Sequence, residues 1–295
     1  MRKTIGFIDH YLNNFHASTY IDLIRQGRFG DEFEVAWAYG EVESDGVDSE
    51  QWCADRGVTL LGTPEEVVEK SDFLMVLSPN NPERHLDLCR AALTSGKPTY
   101  VDKTFAPDYR TAVKLVDMAQ ESKTPMFSTS ALRCVPEVSE HLTGLGAERP
   151  SEAVAVRGPS SFQIYAVHVI EPLVMLLGRG ARSVCYFGNG KFMQFCVKYP
   201  DHRMGAFQLM EPACAVGDKW YGHPFEASVM FADGATSLHF TTADMFKDLV
   251  DSICEFYKGG PQLAPHEDTL EVMALIEAGR GAMAAPGEWV QVPGE

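Results

Sequence analysis

The sequence predicts an α/β chain in two domains: a Rossmann-type, doubly wound parallel sheet, then an α+β domain around a large, mostly antiparallel sheet. Three observations predict it. The first half alternates short apolar runs with amphipathic helical stretches, the rhythm of βαβ units with right-handed crossovers. From about Glu152 strand-like runs follow one another, several separated by turn signals such as "GNG" at 188–190 and "ADG" at 232–234, as antiparallel hairpins require. The length, 295 residues, suits two domains better than one. The division is expected between 1–128 and 129–295, where the rhythm changes.

Taken in order, 4–8 reads as a strand and 15–26 as a helix, with Phe15, Tyr20, Leu23 and Ile24 near helical spacing. Residues 34–39, "EVAWAY", form a second strand, and 49–56 a helix ended by Gly57. "TPEE" at 63–66 offers an N-cap Thr, Pro at the first helical position and Glu three residues after the cap, a capping box. "DFLMVLS" at 72–78 is continuously apolar, as a strand buried on both faces must be. Helices at 82–94 and 107–122 and strands "PTYV" and "PMFST" complete the first half. In the second half, strands are expected at "AVAVRG", "SVCYFG", "FMQFCVKY", "MGAFQLM", "EASVMFA" and "ATSLHFT". Helices are expected at 167–177, 244–257 and 267–283.

Charge and cysteine usage narrow the function classes. Lys and Arg total 25 against 41 Asp and Glu, a net of −16, which opposes a nucleic-acid or acidic-lipid partner. No 18-residue apolar run exists, and "MRKTIGF" passes straight into a strand, so a cytoplasmic protein is expected. The seven cysteines are scattered with no C-x-x-C pair, which suits reduced, buried thiols. His202, His223, His239 and His266 are dispersed, so no metal site is expected.

In an open α/β sheet, ligands bind beyond the carboxyl ends of the strands. That rule nominates the 9–14 loop, Gly40–Glu41, "SPNNPERH" at 78–85 and "VDKTF" at 101–105. The run "DFLMVLSPNNPERHLDLCRAALTSGKPTYVDKTFA" resembles the Gfo/Idh/MocA oxidoreductases, the glucose–fructose oxidoreductase and inositol dehydrogenase group. The matching positions are Ser78-Pro79-Asn80, His85, Ala92-Leu93, Gly96-Lys97 and Asp102-Lys103-Thr104. Later, "SALRC" resembles that family's Arg-containing crossing segment, "YAVHVIEPLVMLLG" its His-x-x-Asp helix, and "EDTLEVMALIEAGRGA" its closing helix. The resemblance covers nearly the whole chain.

The resemblance implies NAD(P)-linked oxidation of a sugar or polyol hydroxyl, with Lys103 and His168 flanking the reacting group across a cleft between the domains. It also implies self-association through the exposed face of the second-domain sheet. The residues agree with the pairing. Lys103 follows a strand, where an ammonium can polarise a substrate oxygen. His168 is expected at the start of its helix, whose positive end favours a neutral, proton-accepting imidazole. Glu171, three residues on, shares a helical face with His168 and can orient it. Pro172 is expected to fall within the helix's first turn, where a missing N–H is tolerated. Some family members carry an Asp four residues before the His; here that position is Ile164, and Tyr165 beside it is the candidate substitute. Arg133 is a candidate substrate contact.

The nucleotide loop departs from the pattern. "IDHYLNNFHAST", 8–19, holds no glycine, although glycine gives such loops their tight turn and close backbone approach to a pyrophosphate. Asp9, His10, Tyr11, Asn13 and Asn14 line the loop instead. Asp9 opposes phosphate, whereas the amides of Asn13 and Asn14, His10 or His16, and the helix N-terminus around 14–16 can bind an anion. The asparagines also suit turn and N-cap duty. Glu41 is the nearest carboxylate for a ribose diol. Residues 41–50 carry five acids and no base, which favours NAD over NADP.

The leading reading is an NAD-dependent oxidoreductase of sugars, polyols or glycosides, with Lys103, His168 and Tyr165 catalytic. Arg133 and Glu171 would bind substrate, and Asp9, His10, Tyr11, Asn13, Asn14, Glu41, Ser78, Pro79, Asn80 and His85 the cofactor. Beside it stand a degenerate relative that binds a sugar or a protein without redox turnover, and a cofactor-independent acid–base enzyme at the same Lys/His pair.

Overall fold

A computed structural model describes residues 2–44, 46–211, 214–216 and 219–294. Asp45, one of the five acids after the second strand, lies outside the described residues, as does the side chain of Cys214. In chain order the first elements are β1 (Lys3–Asp9), α1 (Phe15–Gln26), β2 (Phe33–Gly40), α2 (Ser49–Arg56), β3 (Thr59–Leu60), α3 (Pro64–Lys70), β4 (Phe73–Val76), α4 (His85–Leu93), β5 (Thr99–Val101), α5 (Tyr109–Glu121) and β6 (Met126–Phe127). Next come α6 (Pro136–Thr143), α7 (Leu145–Glu148), β7 (Ala153–Pro159), α8 (Phe162–Leu177), β8 (Ser183–Gly188), β9 (Phe192–Lys198), β10 (Met204–Met210), β11 (Cys214–Val216) and β12 (Lys219–Tyr221). The last are β13 (Glu226–Phe231), β14 (Gly234–His239), α9 (Met245–Tyr257), α10 (His266–Ala284) and β15 (Trp289–Gln291).

The chain divides into two compact units, Met1–Thr129 with Phe246–His266, and Ser130–Met245 with Glu267–Glu295. The first sheet is parallel throughout, in the order β3-β2-β1-β4-β5-β6. Strand order reverses between β1 and β4, which opens a crevice at their carboxyl ends. Helix α3 lies close on β1 because residue 6 is glycine: a Cβ there would meet Ser71 Oγ at 2.2 Å and Val67 Cγ1 at 2.4 Å. The capping box of α3 forms with a shift. Glu66 N–H donates to Thr63 Oγ1 at 3.2 Å, while its carboxylate accepts from Gly62 N–H at 2.8 Å rather than from the cap residue.

Helix α9, which follows the second half's strands in sequence, packs into the first unit. Tyr257 stacks on Phe73 with ring centroids 4.7 Å apart and donates its hydroxyl to Leu74 O at 2.6 Å. Phe256 meets Phe127 edge-on at 5.0 Å.

The second unit's sheet has the order β14-β13-β7-β10-β9-β8-β15. Only β7 and β10 run parallel; every other neighbour is antiparallel. Its covered face is aromatic: Phe207 stacks on Phe195 at 4.4 Å, with Phe162 of α8 and Tyr186 at 5.1 and 5.0 Å from Phe195. Gly279 lets α10 close on this cluster, since a Cβ there would meet Phe162 Cζ at 2.8 Å.

Two helix starts differ from expectation. The 82–94 segment opens with a 3₁₀ turn at Pro82–Arg84 before α4. Helix α8 starts five residues earlier than 167: Ser161 is extended, and Phe162 and Ala166, one turn apart, are both buried. His168 therefore sits in the second turn, outside the reach of the helix's N-terminal charge. Pro172 lies mid-helix rather than in the first turn, and it removes the N–H that would bond to the His168 carbonyl.

Candidate active site

The 9–14 loop needs no glycine because none of its residues has positive φ. The chain leaves β1 extended, and the β1–β2 ladder continues past the strand: Glu41 N–H donates to Asp9 O at 3.0 Å and Val42 N–H to His10 O at 2.9 Å. Leu12 turns inward and is buried. The left-handed residue appears on the facing turn instead, at Ser78 with φ 58°. That conformation costs about 1–2 kcal/mol in a non-glycine residue. Ser78 offsets it by donating its N–H to Asp9 Oδ1 at 2.9 Å and its hydroxyl to Asn81 O at 3.1 Å.

Several residues expected against a cofactor are committed elsewhere. Asn14 is the N-cap of α1, accepting from Ala17 N–H at 2.9 Å, a contact worth about 1 kcal/mol. Its amide donates to Asp9 Oδ2 at 2.8 Å and Tyr11 O at 2.7 Å, so it offers no further side-chain donor. Asp9 is wholly buried and does not line the crevice; burial pushes its carboxyl up to about 7, against the lowering pull of Asn14 and Ser78. His85 is also wholly buried, its Nδ1 2.9 Å from Phe105 O and its Nε2 2.7 Å from Leu77 O. It ties two loops together rather than facing a ligand.

Glu41 remains partly exposed, gripped on both oxygens by the Arg84 guanidinium and on Oε2 by His10 Nδ1 at 2.8 Å. Arg84 holds its carboxyl below the usual range. Tyr11 reaches across the switch point, its hydroxyl 3.4 Å from Asn80 Nδ2. Asn13 has no hydrogen-bond partner among the described residues.

Lys103 follows β5. It is 8% exposed, and its ammonium is 3.4 Å from Pro79 O. Among the described residues no carboxylate lies within ion-pair distance of it. Burial pushes the ammonium below its usual range, while the Asp102 carboxylate pulls it back up. Asp102 is wholly buried and accepts from the Lys103 backbone N–H at 2.8 Å and from the Tyr100 hydroxyl at 3.1 Å, both on Oδ1.

In the second unit, His168 and Tyr165 come together, rings edge-on at 5.2 Å, and Phe225 stacks on Tyr165 at 6.1 Å. Burial raises the Tyr165 phenol. Ile164 is 52% exposed, one turn before His168. Glu171 accepts from Ser130 N–H at 2.5 Å and from Arg133 Nε at 2.7 Å, and Arg133 also reaches Asp268 at 3.3 Å. Ser130 is the link to the imidazole, its Oγ 2.6 Å from His168 Nδ1. Arg133 and Glu171 thus form a buried ion pair under the 131–134 turn, not an open substrate contact. Sequence reasoning missed Ser130, Phe225, Asp268 and Arg84. Each is defined by a partner at least 38 residues away, although Arg84, 43 residues from Glu41, stood in the nominated 78–85 segment.

The residues present fit a dinucleotide at three points. The backbone N–H groups of Phe15 and His16 have no partner among the described residues and open a 12-residue helix. Glu41 offers a held carboxylate at the end of β2, and Lys103 an ammonium at the end of β5. Among the described residues no group of His, Cys, Asp and Glu could hold a metal ion, and no helix is long and apolar enough to cross a membrane.

This fold is similar to that of solved dehydrogenases, inositol dehydrogenases among them. Myo-inositol dehydrogenase from Lactobacillus casei, solved with NAD(H) and myo-inositol, is 14% identical, with TM-score 0.80 over 100% of this chain and 98% of its own. A probable dehydrogenase from Thermotoga maritima is 12% identical, with TM-score 0.80 over 98% and 99%. The WlbA dehydrogenase from Bordetella pertussis, solved with NADH and UDP-GlcNAcA, is 13% identical, with TM-score 0.76 over 100% and 99%. No protein-family model and no curated protein matches the chain. At these identities the likeness establishes the fold.

Proposed function

We propose that the protein is an NAD-dependent oxidoreductase acting on a hydroxyl of a sugar, polyol or glycoside. The observation that carries this reading is Lys103, a buried ammonium with no ion-pair partner among the described residues, at the carboxyl edge of a nucleotide-binding type of sheet. The inositol and UDP-sugar dehydrogenases that share the fold support the substrate class.

Phe15 and His16 N–H groups would hold the pyrophosphate, and Glu41, kept ionised by Arg84, would accept from a ribose hydroxyl. The nicotinamide, when bound, supplies the hydride acceptor. Lys103 donates a hydrogen bond to the reacting oxygen and stabilises the alkoxide that develops there. His168 takes the hydroxyl proton on Nε2, its ring fixed through Nδ1 by Ser130. Tyr165, beside it, shields that proton from water.

The test is NADH fluorescence and turnover with a panel of polyols and sugars. NADH binding, with turnover lowered at least about 100-fold in Lys103→Met and His168→Leu, is expected. A second reading, a relative that binds sugar or protein without redox turnover, draws on the engagement of Asn14 and Glu41 within the chain. It is favoured if neither NADH nor NADPH binds.

A further inference from the structure

Beneath Lys103 lies a buried polar cluster that the proposed chemistry does not use. His16 Nδ1 is 2.5 Å from Asp102 Oδ2, and the Tyr20 hydroxyl lies 3.2 Å from the same nitrogen. His16, Asp102, Tyr20 and Tyr100 are all more than nine-tenths buried. His16 comes from α1, Asp102 and Tyr100 from β5 and its end, so the cluster clamps two elements together. Other groups face it: the Tyr100 hydroxyl also lies 3.3 Å from Thr129 O. From β1, the buried Asp9 carboxyl feels the charge of Asp102. From the chain after β6, the Ser128 hydroxyl donates to the Asp102 carbonyl at 3.4 Å. From α9, the Phe246 ring meets His16 edge-on at 5.6 Å and carries no charge.

Asp102 occupies the centre. One oxygen faces His16; the other binds the main-chain N–H of Lys103 and the Tyr100 hydroxyl. Its charge also reaches the Lys103 ammonium. A carboxylate this deeply buried is tolerable only with a partner. His16 is that partner. We propose that His16 is a positioning residue for Lys103: by holding Asp102, it fixes the main chain that carries Lys103 and sets the charge which Asp102 presents to the Lys103 ammonium. This deepens the oxidoreductase reading and rests on it.

Burial and the His16 contact act on Asp102 in opposite senses, and the net is a carboxyl below its usual range. In His16→Leu, the Asp102 oxygen that faces His16 has lost that donor, whereas the amide of His16→Asn keeps one. A buried carboxylate so deprived takes up a proton, and the Lys103 ammonium loses the charge that favours it. In Asp102→Asn, the carboxylate that favours that ammonium is gone.

The experiment reads Lys103 directly. Lysines of the full chain are ¹³C-dimethylated, the Lys103 resonance is assigned by its loss in Lys103→Arg, and its midpoint is followed with pH. The expected result is a fall of about one unit in His16→Leu, roughly tenfold in the ammonium-to-amine ratio, a fall in Asp102→Asn, and a midpoint restored in His16→Asn. A histidine that only fills space would leave the midpoint in place. A midpoint unmoved within about 0.3 unit in His16→Leu, or raised, overturns the inference. Should that variant not fold, an unmoved or raised midpoint in Asp102→Asn overturns it equally. Nicotinamide-linked turnover of the unaltered chain is measured alongside. Its absence overturns the reading on which the inference rests; turnover with an unmoved midpoint overturns the inference alone.

Discussion

Replacing Glu171 by leucine is expected to destabilise the second unit by about 3 kcal/mol. Glu171 and Arg133 are both more than nine-tenths buried and meet at 2.7 Å. Removing one member of such a pair costs about 3–5 kcal/mol, because the remaining charge is left without compensation. The Ser130 N–H loses its acceptor as well, which adds about 1–3 kcal/mol. Asp268, 3.3 Å from the guanidinium, keeps part of the compensation and holds the total near the lower bound. Substituting both partners, Arg133→Met with Glu171→Leu, removes both charges and should cost well below the sum of the single changes. Amide exchange along α8 in urea follows this unit by itself. A single substitution costing under about 1 kcal/mol, or a double substitution as costly as the sum, would refute the ion-pair account.

Three further outcomes are expected. Asp9 has a folded-state midpoint of about 7 against an ordinary 3.8, so the folded chain binds more protons than the unfolded one between those values. Stability should therefore fall as pH rises from about 4 to 7, by up to about 1.4 kcal/mol per unit, and Asp9→Asn should flatten that slope in urea midpoints; an unchanged slope rejects the assignment. Arg84→Ala should weaken NADH binding through a loosened Glu41 while NADPH stays the poorer ligand; stronger NADPH binding than NADH in the unaltered chain would contradict the ribose role of Glu41. The outer face of the second sheet holds a shallow apolar depression of about 420 Å³ lined by Ala155, Cys196, Met204, Ala206 and Met230. The resemblance implies that this chain self-associates through that face, so Ala206→Arg should leave monomers in light scattering where the unaltered chain is larger, and an unaltered chain that is monomeric would refute that expectation.

How much of this was legible in the residues differs by scale. Strand and helix placement followed from apolar rhythm and caps: Thr63 and Asn14 do cap helices, and the run at 72–78 holds a buried parallel strand. The start of α8 was not legible, because "FQIYA" alternates polarity too weakly to declare a turn before 167. At the site, sequence could nominate loops, yet it could not tell which side chain faces outward. Asp9 and His85 both stand in nominated segments, and both point into the interior, where a few ångströms of backbone path decide their partners. Arg84 escaped notice for a related reason. Counting charges within 41–50 suggested a purely acidic neighbourhood, whereas the fold brings a guanidinium from a different crossover onto Glu41.

Helix α9 carries an implication for how the chain is made. The ring of Tyr257 covers Phe73 and caps the carbonyl of Leu74, in strands completed nearly 200 residues earlier. As the polypeptide emerges from the ribosome, that apolar flank must wait, uncovered, until nearly 200 further residues have been made. A nascent product released early would retain its parallel sheet and lack its seal, and would be a natural client for chaperones or proteases.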